Sequence, residues 1–254
     1  MISNRSLKQR MMDSTKFIFI SDLHLSPSEA VKIDIFLRFL KRCSEKESHL
    51  FILGDLFDYW VGDDDIDNPL HQQILPALRA LTCKGAKLSM MRGNRDFLIS
   101  EKLSKLTDAA ILPDPYVIEL HGQRTLLSHG DQWCTDDEEY QAIRSTVRTN
   151  KWIDSFLKLP LPERHSRAKN YRQISETSKE AKELEIMDVS AKTVEDAFKT
   201  YNCQRIIHGH THRHAHHEHL INTQLRERFV LSDWNNRGQA LIFNESDYSD
   251  QFFT

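Results

Sequence analysis

Short apolar runs punctuate the chain, and most of them stop abruptly at a polar turn carrying Asp, Asn, His or Gly. Residues 17–20, 50–53 and 88–91 are runs of this kind, and residues 126–127 and 206–207 close two later ones. Continuous runs of that length suit strands buried on both faces. Between them the period becomes helical. Val31, Ile35, Phe39 and Leu40 predict a helix reaching Cys43, opened by Ser26-Pro27-Ser28-Glu29 as a capping box with Pro at the first helical position. Further helices are expected over residues 69–81 and 97–106. His121-Gly122 marks a hairpin between strands at 116–120 and 124–128, and residues 205–208, 229–232 and 239–243 read as later strands. The pattern predicts an α/β protein in which two sheets pack face to face with helices outside.

About eighty residues between the fourth run and the fifth read as mostly helical. From Gln141 to Lys182 there are ten Lys/Arg against four Asp/Glu, and Trp152, Phe156 and Leu159 share a helix face. Two readings fit this stretch. Its apolar face packs on the body of the protein, or it forms a lid offering an apolar groove beside basic side chains, which suits an anionic lipid or a membrane surface. On the second reading Trp152, Ile153, Phe156 and Leu157 line a groove for acyl chains.

The 254 residues, 39% hydrophobic and 28% charged, are ordinary for a soluble globular protein of one large or two small domains. A net charge of −3 gives no case for nucleic acid as a partner. Cys43, Cys83, Cys134 and Cys203 have neither metal nor disulfide spacing and are expected to be reduced cytosolic thiols. No run approaches the ~20 apolar residues of a membrane span. Residues 1–14 lack the apolar core of a secretory signal and are expected to be a disordered extension, with one domain over 15–254.

The turns that end the strands carry the chemistry. They read Ser21-Asp22-Leu23-His24, Gly54-Asp55-Leu56-Phe57-Asp58, Gly93-Asn94-Arg95-Asp96, Ser128-His129-Gly130-Asp131 and His208-Gly209-His210-Thr211-His212. Any one of these alone is more often a turn than a ligand set. Five at five strand ends are another matter, because loops at strand carboxyl ends build the site in open α/β folds. Asp, Asn and neutral His suit a divalent cation such as manganese or zinc. Seven such groups exceed what one ion takes and fit two ions about 3.5–4 Å apart sharing a carboxylate, an arrangement that activates water against phosphorus.

The ordered set resembles the calcineurin-like metallophosphoesterase superfamily, whose fold is a β-sandwich flanked by helices. The longer strings around Asp22-Leu23-His24-Leu25-Ser26-Pro27, Gly93-Asn94-Arg95-Asp96-Phe97-Leu98 and His208-Gly209-His210-Thr211-His212-Arg213 are similar to its lipid A branch, which hydrolyses the diphosphate of UDP-2,3-diacylglucosamine. Cys134-Thr135-Asp136-Asp137 and Ile186-Met187-Asp188-Val189 resemble the helical lid insertion of that branch, which would span about 133–187 here. The resemblance implies that Asp22, His24, Asp55 and His212 hold one metal, with Asp55 bridging to a second held by Asn94, His129 and His210. It implies substrate contacts at Asn94, Arg95, Asp137, Ser178, Lys182 and His210, catalytic roles for Arg95 and Asp55, and two divalent ions, with Mn2+ expected. It also implies a lipid-linked nucleotide sugar as substrate and a peripheral position on the cytoplasmic face of the bacterial inner membrane. His214 and Ser232 depart from the Pro and Gly usual in that branch.

Arg95 bears on the chemistry by itself. Most of the superfamily has His there, able to protonate an alkoxide leaving group, whereas a guanidinium keeps its proton near neutral pH. An anhydride expels a phosphate monoester whose second pKa is about 6, which needs charge neutralisation rather than a proton. Arg95 therefore favours a diphosphate substrate. Asp58 and Asp131 are expected to orient metal-bound histidines or water. Asp63-Asp64-Asp65 is expected to be a solvated loop, and His214 to His219 a solvated strand end. A soluble nucleotide sugar is the alternative substrate, and a non-catalytic scaffold the alternative class, although such a scaffold should have lost ligands.

Overall fold

Successive residues of β1 (Lys16–Ile20) face two different cores, as the period of two in a strand requires. Phe17 and Phe19 point toward the facing sheet, while Ile18 and Ile20 point toward helices. The computed structural model describes residues 15–44, 47–181, 187–235, 237–244 and 247–254. The expected extension at 1–14 lies outside them.

After β1 come α1 (Ala30–Arg42), β2 (Ser48–Leu53), α2 (Pro69–Cys83), β3 (Lys87–Met91), α3 (Glu101–Thr107) and β4 (Ala110–Leu112). The hairpin of β5 (Tyr116–Leu120) and β6 (Gln123–Ser128) leads into α4 (Glu138–Val147), α5 (Asn150–Leu157), α6 (Leu161–Ala181) and α7 (Ala191–Tyr201). The chain closes with β7 (Arg205–His208), β8 (Ala215–Ile221), β9 (Gln224–Val230), β10 (Gly238–Phe243) and β11 (Tyr248–Phe253). One sheet runs β11-β10-β1-β2-β3-β4, parallel from β1 to β4; the other runs β5-β6-β7-β9-β8, parallel through β6, β7 and β9. Phe17, Phe19, Phe51, Leu127, Phe229 and Phe243 fill the space between the sheets. Helices α1 to α3 cover the outer face of the first sheet, and α7 covers that of the second.

The two-sheet expectation holds, and several boundaries move. α1 begins at Ala30, later than the capping box implied. Pro27 lies outside the helix, Ser26 and Ser28 hydrogen-bond each other through their hydroxyls at 2.8 Å, and Glu29 caps only with its backbone. α3 starts four residues late because Asp63, from a distant loop, accepts the N–H groups of Ser100 (3.1 Å) and Leu103 (3.0 Å) and sets its first turn. His121 and Gly122 both take positive φ, 48° and 77°, which closes the expected hairpin. Strands β4 and β11 were not anticipated, whereas β8 runs where a solvated strand end was expected. β8 contains the histidine stretch apart from His214, and β11 is polar except at its ends.

Candidate metal centre

Strands β1, β2, β3, β6 and β7 end on one side of the sandwich, and their five terminal loops meet there. The backbone of these loops is strained. Asp22, His24, Asp55, His210 and His212 all have left-handed φ, from 48° to 67°. Such conformations cost L-residues roughly 1–3 kcal/mol each and persist only where surroundings enforce them. The enforcement is visible at Asp96, which is fully buried. Its Oδ1 accepts from the N–H of Gly93 (2.8 Å) and Asp55 (3.3 Å), and its Oδ2 from Leu56 (2.8 Å), so one carboxylate locks two loops together. Gly93 admits no side chain, since a Cβ there would stand 2.0 Å from Asp55 Oδ1.

All seven residues expected as ligands converge. Asp22, His24 and His212 form one group and Asp22, Asp55 and His129 another, each with ligand atoms within 4.8 Å of one another. His24 Nε2 and His212 Nε2 are 3.2 Å apart, and His212 Nε2 lies 3.4 Å from Asp22 Oδ1. Asn94 Oδ1 is 2.9 Å from both His129 Nε2 and His210 Nδ1. His129 Nδ1 can only donate to the Leu53 carbonyl at 2.9 Å, so in the neutral imidazole that a metal requires Nε2 is a lone pair facing the Asn94 oxygen. Two acceptors facing each other, together with a buried Asp22 Oδ1 that has no hydrogen-bond partner, call for a cation between them. The donor set of carboxylates, amide oxygen and imidazoles fits divalent manganese or zinc.

The electrostatics agree. Burial pushes the Asp55 carboxyl well above its ordinary range, and Asp96 and Asp22 add to the shift. Burial disfavours charge on His129, yet Asp55, Asp22, Asp131 and Asp114 outweigh it and push the imidazole up to about 9. Without an ion, the carboxylates recruit a proton in its place, and metal binding would release it.

A cavity of about 330 Å³ opens from this cluster beneath α4 to α6. Asn94, Arg95 and His210 stand at its inner end, and Phe97, Ile143, Val147, Trp152, Phe156 and Ile174 line its apolar walls. The expected groove is thus partly different. Trp152 and Phe156 stack at 4.8 Å along the wall, whereas Ile153 packs into the core and Leu157 is 39% exposed. Asp137 lines the cavity and caps α4 through Tyr140 N–H at 3.1 Å. Ser178 lies on α6, but its side chain is outside the described residues, as is all of Lys182. Arg95 does not pair with Asp96, whose oxygens are taken by backbone; its own N–H donates to Asp55 Oδ1 at 2.8 Å.

Asp58 and Asp131 do something other than expected. Asp58 pairs with Arg172 on α6 at 2.7 Å. Asp131, fully buried, accepts from Tyr140 Oη at 2.7 Å and Arg144 Nε at 2.8 Å and lies 3.4 Å from Arg148 Nη2. The acidic run is not a free loop either. Asp63 also accepts from Trp60 Nε1 at 3.0 Å, Asp64 pairs with Arg164, and Asp65 with His165 at 3.1 Å. Core acids therefore clasp the covering helices, and much of the basic surplus there is neutralised internally. Asp114, Asp233 and Leu53 were missed. Asp114 accepts His129 N–H at 3.2 Å, and Asp233 lies 3.6 Å from His212 Nδ1, so the Ser232-Asp233-Trp234 departure touches the ligand side. Just before β8, His214 pairs with Asp250, and within it His216 pairs with Glu227, each at 3.2 Å. Among the described residues no metal-type group forms there.

Fold and centre together define a hydrolase of the dimetal phosphoesterase class. Residues 15–214 match the family model described as calcineurin-like phosphoesterase, and the chain belongs to that family. A protein of Aromatoleum aromaticum named UDP-2,3-diacylglucosamine hydrolase is 45% identical over 85% of this chain and 88% of its own. Proteins with the same name from Photorhabdus laumondii (44% identical) and Shigella dysenteriae (42% identical) each cover 91% of this chain and 95% of their own.

Proposed function

We propose that the chain hydrolyses the diphosphate of UDP-2,3-diacylglucosamine to UMP and 2,3-diacylglucosamine 1-phosphate, a step of lipid A biosynthesis. The observation that carries this reading is the opening of the strand-end cluster directly into a cavity with apolar walls, with Arg95 at the junction. A lipid-linked diphosphate needs both parts, whereas a soluble nucleotide sugar has no use for the apolar walls. The name of the relatives supports the same substrate.

In this reading Asp22, His24, Asp55 and His212 hold one ion, and Asn94, His129 and His210 the second, with Asp55 bridging. Mn2+ suits these donors. Two divalent ions bound there would supply Lewis acidity and an activated water. Arg95 grips the diphosphate oxygens and takes up charge on the departing monoester without giving up a proton. Asn94, Asp137, Ser178, Lys182 and His210 complete the substrate contacts, and α4 to α6 act as a lid over residues 133–187. Among the described residues no helix is long and apolar enough to cross a membrane. In the same reading the lid meets the cytoplasmic face of the inner membrane peripherally. A digest of this lipid in oxygen-18 water with Mn2+ tests the proposal: mass spectrometry should find UMP and the lipid monophosphate, with one of them carrying the label. Absence of turnover, or preference for a simple alkyl phosphodiester, would exclude the reading.

A further inference from the structure

Gly93, the residue before Asn94, is held through both of its backbone polar groups. Gly93 N–H donates to Asp96 Oδ1 at 2.8 Å, and the Gly93 carbonyl accepts from Arg148 Nη2 at 2.9 Å. With both polar groups held, the direction in which Asn94 leaves the loop is set, and its Oδ1 falls 2.9 Å from His129 Nε2 and from His210 Nδ1. Arg148 does not belong to that loop. It is the C-cap of α4, 55 residues further along the chain. The same Nη2 lies 3.4 Å from Asp131 Oδ2, and the guanidinium covers the Phe97 ring at 5.2 Å from its centroid. One side chain thus touches the loop carrying Asn94, the buried acid two residues beyond His129, and the cavity wall.

We infer that Arg148 is a positioning residue that makes the Asn94–His129–His210 metal position depend on the seating of α4. The inference rests on the dimetal reading above. A planar guanidinium can hold a carbonyl and a carboxylate together in fixed geometry, so displacement of α4 pulls directly on the Gly93 peptide. Coupling of this kind is reciprocal: whatever seats α4, such as acyl chains in the cavity, tightens the cation, and the cation steadies α4. Arg144 provides the internal contrast. It anchors the same helix to Asp131 at 2.8 Å without a contact to Gly93.

The test is titration of the metal-free full chain with Mn2+, read by calorimetry and electron paramagnetic resonance, with thermal melts alongside. Wild type should bind two ions. Arg148→Ala should weaken one of them about tenfold, the effect of losing most of a charge-assisted hydrogen bond. Arg148→Lys, which keeps a charged donor within reach of the Gly93 carbonyl, should recover most of the loss. Arg144→Ala should leave both affinities within about twofold of wild type. Should Arg148→Ala fail to fold, Arg148→Gln replaces it with the same expectation. Equal losses in Arg144→Ala and the Arg148 variant would make the effect ordinary helix packing and overturn the inference. Unchanged titrations with a raised KM would make Arg148 a substrate contact and overturn it too. A wild-type chain that bound fewer than two ions would sink the dimetal reading itself, whatever the variants did.

Discussion

The strand-end centre and the helices α4 to α6 above it, the proposed lid, are held by opposite means. In the centre, five side chains sit on left-handed backbone, Asp22 and His129 are fully buried, and Asp96 bolts two loops together through backbone N–H groups alone. In the lid, α4 carries no fully buried residue, and Ile143, Tyr171 and Ile174 are at least half exposed. Polar contacts from acids of the body hold much of it: Asp131 to Arg144, Asp58 to Arg172, Asp65 to His165. A centre that must place donors to within tenths of an ångström uses rigid strand ends and accepts strain. Polar clasps open at lower cost than a packed core, which suits the proposed role of these helices in admitting a lipid. The same charged residue types thus serve placement below and release above.

Two substitutions press hardest on the lower half of this contrast. Asp55→Ala removes the carboxylate proposed to bridge the two ions, and kcat should fall at least about a thousandfold. Its melting temperature in the absence of metal should move by less than about 4 °C, because alanine at left-handed φ costs about 1 kcal/mol and removal of a buried carboxyl acts in the other direction. A comparable loss of activity through unfolding would mean that Asp55 is structural. Next in size, Arg95→His should lower diphosphate cleavage about a hundredfold, the scale of one lost charge-stabilising donor. It should cost much less on an alkyl phosphodiester, since imidazolium can donate a proton there. Equal loss on both substrates would reduce Arg95 to a shared phosphate contact.

The two regions were also unequally legible in the sequence. The centre was readable because its donors sit in local strings at strand ends, so that Asp22 and His24, or His210 and His212, announce each other at a fixed spacing. The clasps were not. Asp63 caps α3, whose first residue is Glu101, and Asp64 meets Arg164 across 100 residues, where no local pattern links the partners. An acidic run beside a phosphate site reads as a solvated loop unless the partner helix is known to fold back on it. β11 was hidden for a related reason: it is an edge strand whose Tyr248 and Asp250 pair across the seam with His216 and His214, so it shows no apolar period. Asp114 gave no signal at all, because its contact with His129 N–H arises only from the return of the chain into β6.

The upper half of the contrast can be sharpened at the cavity wall. Trp152 lines the cavity and stacks on Phe156, while Asp131 and the metal donors are untouched by it. Trp152→Glu places a charge on an apolar wall and should reduce turnover of the lipid substrate about tenfold, equivalent to about 1.4 kcal/mol. Metal content and hydrolysis of a small activated phosphodiester should stay near wild type. Equal loss on both substrates would show that the wall supports the centre rather than the acyl chains.

The smallest expected effect separates a clasp from a bolt. Asp64 is 56% exposed, while its partner Arg164 has a side chain only 3% exposed and also donates to the Val61 carbonyl at 2.7 Å. The hydrogen bond from Arg164 holds the Asp64 carboxyl below its ordinary 3.8. A carboxyl depressed by folding stabilises the native state fully above its unfolded value, and that stabilisation fades as pH falls through the lower folded value. Because the acid is solvated, its contribution is screened, and Asp64→Asn should lower the melting temperature at neutral pH by only about 1–3 °C. The gap between wild type and variant should narrow as pH drops from about 4 toward 2, and it should narrow at neutral pH when salt is raised. Melts of both proteins across that range check this directly. A gap that stayed constant at low pH and high salt would mean that the substituted amide fails at something other than charge, and that Asp64 belongs with the rigid elements below the lid.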